Sequence, residues 1–178
     1  MTIRHAVPGD ARGIAEVHVS SWRTSYRGIV PDARLDELDV ESRVSFWETH
    51  LETCFVSADD DGVITGFVSA GPAQNDELGA DGEIYAIYLV DSAKKQGTGR
   101  RLMYEAVSCL KEAGFRSLSL WLLKDNPARG FYERFGGRIT GEKPYETGGF
   151  TLSAIGCKWD DIEALSRALY NNFTSSKH

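Results

Sequence analysis

The stretch from Glu83 to Gly114 limits most strongly what this chain can become, because an apolar run, a cationic glycine loop and an amphipathic segment follow one another there. Glu83-Ile-Tyr-Ala-Ile-Tyr-Leu-Val90 is rich in β-branched and aromatic residues and too short and apolar for an exposed helix, so it reads as a strand. Lys94-Lys95-Gln96-Gly97-Thr98-Gly99-Arg100-Arg101 surrounds two glycines with cations. Leu102, Met103, Ala106, Val107 and Leu110 then fall on one helical face, and Gly114 stands where a C-terminal cap belongs.

Strand, loop and helix together predict an anion cradle. Gly97 and Gly99 permit backbone conformations closed to larger residues, so successive amides can close around a phosphate, and a helix opening at Gly99 adds its dipole. The loop lacks the Gly-x-x-x-x-Gly-Lys-Ser/Thr of a P-loop and the Gly-x-Gly-x-x-Gly of a dinucleotide fold. A pyrophosphate on another cofactor is the remaining reading; a solvated turn is the plain alternative.

The chain has 178 residues, 42% hydrophobic and 26% charged, which suits one α/β domain over residues 1–170 with a flexible tail over 171–178. The net charge of -6 argues against a nucleic-acid partner, and the local basicity at 94 to 101 favours a small polyanion held at one place. No apolar leader or bilayer-length segment is present, and Cys54, Cys109 and Cys157 never form Cys-x-x-Cys, so a cytoplasmic protein with reduced thiols and no membrane partner is expected. His5, His18, His50 and His178 show no paired ligand spacing, so no metal is expected. The acidic turn Asp59-Asp60-Asp61-Gly62 puts Val68 where a calcium loop needs glutamate, and reads as a hairpin turn.

The pattern also predicts a strand over 2 to 7, a helix over 10 to 26, and helical residues from 32 to 51 broken near Asp39. Strands follow at 55 to 58, 63 to 70, 118 to 123, 138 to 143 and 150 to 157, with a closing helix over 160 to 170. Between the third and fourth of these runs, Asn126 reads as an N-cap with Pro127 at the first helical position, and Gly136-Gly137 closes a short helix.

Two motifs carry a family resemblance. Lys94-Lys95-Gln96-Gly97-Thr98-Gly99 after a central strand, and Asn126-Pro127 with Phe131-Tyr132-Glu133 and Gly136, resemble the GNAT superfamily of N-acetyltransferases. Trp22-Arg-Thr-Ser-Tyr-Arg-Gly-Ile-Val-Pro31 looks like the acceptor-side helix and loop of its smaller members. The likeness runs from about residue 2 to about 160, with Lys94 where the superfamily has Arg or Gln; lysine neutralises phosphate but lacks a planar fork. It implies a mixed, mostly antiparallel twisted sheet flanked by helices, with acetyl-CoA between the central strand and the strand near 117 to 123.

The same resemblance implies roles. Main-chain groups of Ile87, Tyr88 and Leu89 would pair with the pantetheine arm, with an amide near Leu89 facing the thioester oxygen, and Lys94 to Arg100 would hold the diphosphate. Tyr132 is placed near the thioester sulfur as general acid, and Asn126 near coenzyme A; beside these stand an aromatic core residue and a simple helix cap. Glu83 could take the amine proton through a water, or be a strand-end charge. Trp22 and Tyr26 lie one helical turn apart and either wall the acceptor pocket or belong to the core.

The expected reaction is direct acetyl transfer to a primary amine of a small molecule or peptide in a ternary complex. Superfamily members are often homodimers, though no stretch here announces an interface. The rival readings are a non-catalytic acetyl-CoA sensor of the same fold and a nucleotide-binding regulator.

Overall fold

A computed structural model describes residues 1–174. Its seven strands are β1 (Thr2–His5), β2 (Cys54–Ala58), β3 (Ile64–Pro72), β4 (Gly82–Leu89), β5 (Leu118–Leu123), β6 (Arg138–Thr147) and β7 (Phe150–Trp159). Its helices are α1 (Ala11–Ser25), α2 (Asp32–Asp36), α3 (Val40–Trp47), α4 (Thr98–Glu112), α5 (Arg129–Arg134) and α6 (Ile162–Thr174). The strands form one mixed sheet in the order β1-β2-β3-β4-β5-β7-β6. The β1–β2, β2–β3, β5–β7 and β6–β7 pairs are antiparallel and β4–β5 is parallel, which matches the expected fold class. The β4–β5 register comprises Gly82↔Leu118 and Glu83↔Ser119.

The chain divides into two compact units: Met1–Ser69 with Ala86–Leu102, and Ala70–Tyr85 with the chain from Met103 onward. In the first, α1 turns Ala11, Ile14, Ala15 and Val17 onto Val56 and Phe67, while Trp47 of α3 and Cys54 complete the cluster. Helix and strand approach closely because residue 13 is glycine; a Cβ there would stand 2.7 Å from Ile64 Cγ1. The break expected near Asp39 falls there, since its carboxylate caps α3 by accepting from Ser42 N–H at 2.8 Å.

In the second unit the buried side chains include Met103, Val107 and Leu110 of α4, Leu118 and Leu120 of β5, and Leu165 and Leu169 of α6. The strand β6 runs through Pro144 to Thr147, beyond the expected end at 143, because Gly148 and Gly149 (φ 54° and 77°) make a two-residue hairpin turn into β7. The closing helix continues past 170 to Thr174, so the tail expected from Asn171 overlaps it; residues 175–178 lie outside the described residues. Among the described residues no helix is long and apolar enough to cross a membrane, and no group of three His, Cys, Asp or Glu could hold a metal ion.

Candidate active site

The glycine loop is built as a turn feeding a helix. Val90 N–H donates to Thr65 O at 3.0 Å, a single 3-10 turn follows over Asp91–Ala93, and α4 begins at Thr98. Gly97 takes φ +80°, as the cradle requires, and its carbonyl accepts the first bond of α4 from Arg101 N–H at 3.1 Å. The amides of Thr98 and Gly99 precede that bond and face out of the helix end. Gly99 itself takes no left-handed conformation; it lies in the helical first turn, where its lack of a side chain leaves space beside Leu89. The second left-handed residue of the loop is Lys95, at φ 59°, a conformation that its residue type does not favour.

Side chains hold this loop in shape. Lys94 Nζ pairs with Asp91 and donates to Ser25 Oγ of α1 at 3.0 Å, and Gln96 Nε2 donates to Ser92 O. Thr98 is 1% exposed and its hydroxyl donates to Met1 Sδ. In the same unit the Ser21 hydroxyl of α1 donates to Leu89 O at 2.8 Å, so the carbonyl end of the strand carrying Ile87, Tyr88 and Leu89 is fixed from the helix.

Trp22 and Tyr26 do sit together, edge to face with centroids 4.9 Å apart. Tyr26 is 5% exposed and belongs to the core; Trp22 is half-buried, and its indole N–H is buried without a hydrogen-bond partner among the described residues. A group the sequence did not single out lies beside them: His18 stacks on Tyr88 with centroids 5.2 Å apart and accepts from Trp47 Nε1 at 3.3 Å. Burial, reinforced by Arg43, pushes His18 down to about 4, so the ring is neutral at physiological pH.

The remaining expected residues belong to the second unit. Glu83 is 9% exposed, and its Oε2 accepts from Gln74 N–H at 2.9 Å. Tyr132 is buried on α5, with Phe131 and Trp159 against it at centroid distances of 5.3 and 6.2 Å. Asn126 is not the cap of α5. The helix starts at Arg129, and the Asn126 carboxamide accepts from Ala128 N–H at 2.8 Å while Arg129 N–H donates to Asn126 O, a β-turn with Pro127 at its second position. Burial pushes the Cys54 and Cys157 thiols up to about 12, so neither supplies a thiolate nucleophile at neutral pH.

A model of the acetyltransferase (GNAT) family matches residues 16–137, a span holding both motifs and more than half of the chain. The chain belongs to that family. Among relatives of this acetyltransferase, an uncharacterized N-acetyltransferase of Bacillus subtilis, YuaI, is 36% identical over 170 residues, covering 95% of this chain and 98% of that one. A Mycobacterium tuberculosis protein described as a probable N-acetyltransferase is 28% identical over 141 residues, covering 74% and 76%. The fold is shared with PaiA N-acetyltransferase from Thermoplasma acidophilum, solved in complex with coenzyme A: TM-score 0.67, 20% identity, 89% of this chain and 98% of that one. A GCN5-related N-acetyltransferase structure from Rhodopseudomonas palustris gives a TM-score of 0.71 at 16% identity, covering 89% and 94%. Family and relatives together make the chain an N-acetyltransferase.

Proposed function

We propose that residues 1–170 act as one domain that transfers an acetyl group from acetyl-CoA to a primary amine of a small molecule or peptide, by direct attack in a ternary complex. The observation that carries this reading is the turn at Lys95 to Gly97 feeding the first turn of α4: a left-handed glycine, outward amides and a helix dipole make a diphosphate site at the end of the strand that bears Leu89. The PaiA structure, which holds coenzyme A, supports the choice of cosubstrate.

In that reaction the amine nitrogen attacks the thioester carbon, a C–N bond forms and the C–S bond breaks. One proton leaves nitrogen and one reaches the departing sulfur. The Leu89 amide is assigned to the thioester oxygen, the amides and cations of Lys94 to Arg100 to the diphosphate, and Asn126 to coenzyme A. Glu83 takes the amine proton through a water, and Tyr132 protonates the thiolate. A phenol with a reference pKa of about 10 serves a thiol of about 8.5 only through position and field. Trp22 is assigned to the acceptor side, with Tyr26 packed behind it from the core.

Isothermal titration with acetyl-CoA tests the first step; absence of heat at millimolar ligand would remove the cosubstrate. Tyr132→Phe is expected to lower kcat by roughly 10²-fold with acetyl-CoA affinity nearly unchanged, the size of a general-acid contribution. Equal turnover would remove the acid role. Acetyl-CoA binding without transfer across an amine panel would favour a sensor of the same fold.

A further inference from the structure

Residues 73–81, which join β3 to β4, belong to neither motif, yet they are fastened at both ends within the second unit. Gly141 of β6 and Gly156 of β7 are cross-strand partners, and together they leave bare backbone on one face of the sheet. Leu78 fills that notch. A Cβ at Gly156 would stand 2.4 Å from Leu78 Cδ2, so a side chain there would unseat Leu78, and one at Gly141 would stand 3.1 Å from it, a contact that would push the leucine outward.

Charged contacts flank the seat. Glu77 pairs with Lys143, whose Nζ lies 4.0 Å from the Trp121 ring centroid, and Lys158 Nζ donates to Gly79 O at 2.9 Å. Asp81 accepts from Arg116 N–H, Ser117 N–H and the Ser117 hydroxyl. At the other end Ala73 N–H donates to Asp81 O at 2.9 Å, and the next amide, Gln74 N–H, is the one that reaches Glu83 Oε2. A carboxylate oxygen so engaged cannot turn freely, and the direction of the other oxygen is thereby set.

We propose that Leu78 is a positioning residue for acetyl transfer: seated in the Gly141–Gly156 notch, it holds the Gln74 amide against Glu83 and so orients the carboxylate that takes up the amine proton. This rests on Glu83 acting as base. The charged and titratable groups sharing its surroundings are Tyr85, two residues along β4; Lys158, next to Ser119 in the register row that starts at Glu83; and Asp81.

Four variants test it with acetyl-CoA and an amine identified by screening. Leu78→Ala is expected to lower kcat roughly tenfold, keep KM for acetyl-CoA within about twofold, and shift the acidic limb of the kcat/KM pH profile; Leu78→Met is expected to restore all three. Unchanged kcat and an unchanged limb in folded Leu78→Ala overturn the proposal. Should Leu78→Ala not fold, Lys158→Met, which removes the Gly79 anchor without a cavity, is read by the same criteria. Glu83→Gln separates the two readings: full activity in it refutes the base, whereas lost activity beside a normal Leu78→Ala refutes the positioning alone.

Discussion

The Ser21 hydroxyl donates to the carbonyl oxygen of Leu89 across 68 residues of sequence, and Ser21 is 1% exposed. On the far side of that same peptide unit, Val90 N–H donates to Thr65 O. Both ends of the plane are held, so the backbone entering it at Leu89 has little freedom to rotate. Ser21→Ala leaves a partly buried carbonyl without its donor and is expected to cost about 1 kcal/mol of stability. If the Leu89 amide serves the thioester oxygen, kcat should fall more than acetyl-CoA binding does. Denaturant unfolding and steady-state kinetics on one preparation measure both, and Ser21→Thr, which keeps the hydroxyl, should recover most of the loss.

His18 gives the fold a pH dependence of known sign. Its ring titrates at about 4 in the folded chain and near 6.5 when unfolded, so between those values the unfolded state binds more protons and stability falls as pH falls. The window therefore runs from about pH 6.5 down to about 4, and the loss across it amounts to at most roughly 3 kcal/mol. Urea midpoints of the native protein and of His18→Gln, taken every half pH unit, are expected to converge as pH falls through this window. Parallel curves would refute the assignment.

Lys95 offers a separation of two effects. A non-glycine residue at φ 59° costs on the order of 1 kcal/mol, so Lys95→Gly should raise the thermal midpoint slightly by relieving it. The same change removes a cation from the loop, so acetyl-CoA affinity should drop, and the drop should shrink at high salt. Stability and affinity moving in opposite directions is the expected result; both falling together would mean that the lysine supports the fold.

Gly137 follows α5 where space is tightest. A Cβ there would lie 2.5 Å from Cys157 Sγ, 2.8 Å from Trp159 and 2.9 Å from the Tyr132 carbonyl. Gly137→Ala is expected to destabilise by roughly 3 kcal/mol, since two of those neighbours are core side chains and the third is backbone. Differential scanning calorimetry measures the loss. Recovery by Cys157→Ala, which removes the nearest atom, would confirm the steric cause.

The parts of the site readable from sequence were those written in consecutive residues. The strand before the glycine loop, the helix after it and the left-handed Gly97 each follow from local composition and spacing. Asn126 misled because Asn-Pro suits a β-turn as well as a helix start; the structure spends the carboxamide on Ala128 N–H and begins α5 at Arg129. The expected strand stopped at 143, whereas the Gly148-Gly149 turn carries it on through Pro144 to Thr147. Lys95 gave no sign, because lysine has no preference for the left-handed region. Ser21, His18 and Leu78 were illegible for another reason: their partners at Leu89, Tyr88 and Gly156 lie tens of residues away, and no local pattern encodes a meeting of that kind.

The order of the strands has a colloidal consequence. One border of the sheet is β1, only four residues long, with the Arg4 guanidinium clasping the Asp10 carboxylate beside it. The other is β6, where Pro144 deletes an amide donor and Lys143 and Glu146 place charge along the rim. Such borders recruit stray strands poorly, so crowded molecules of this protein should resist stacking into fibres.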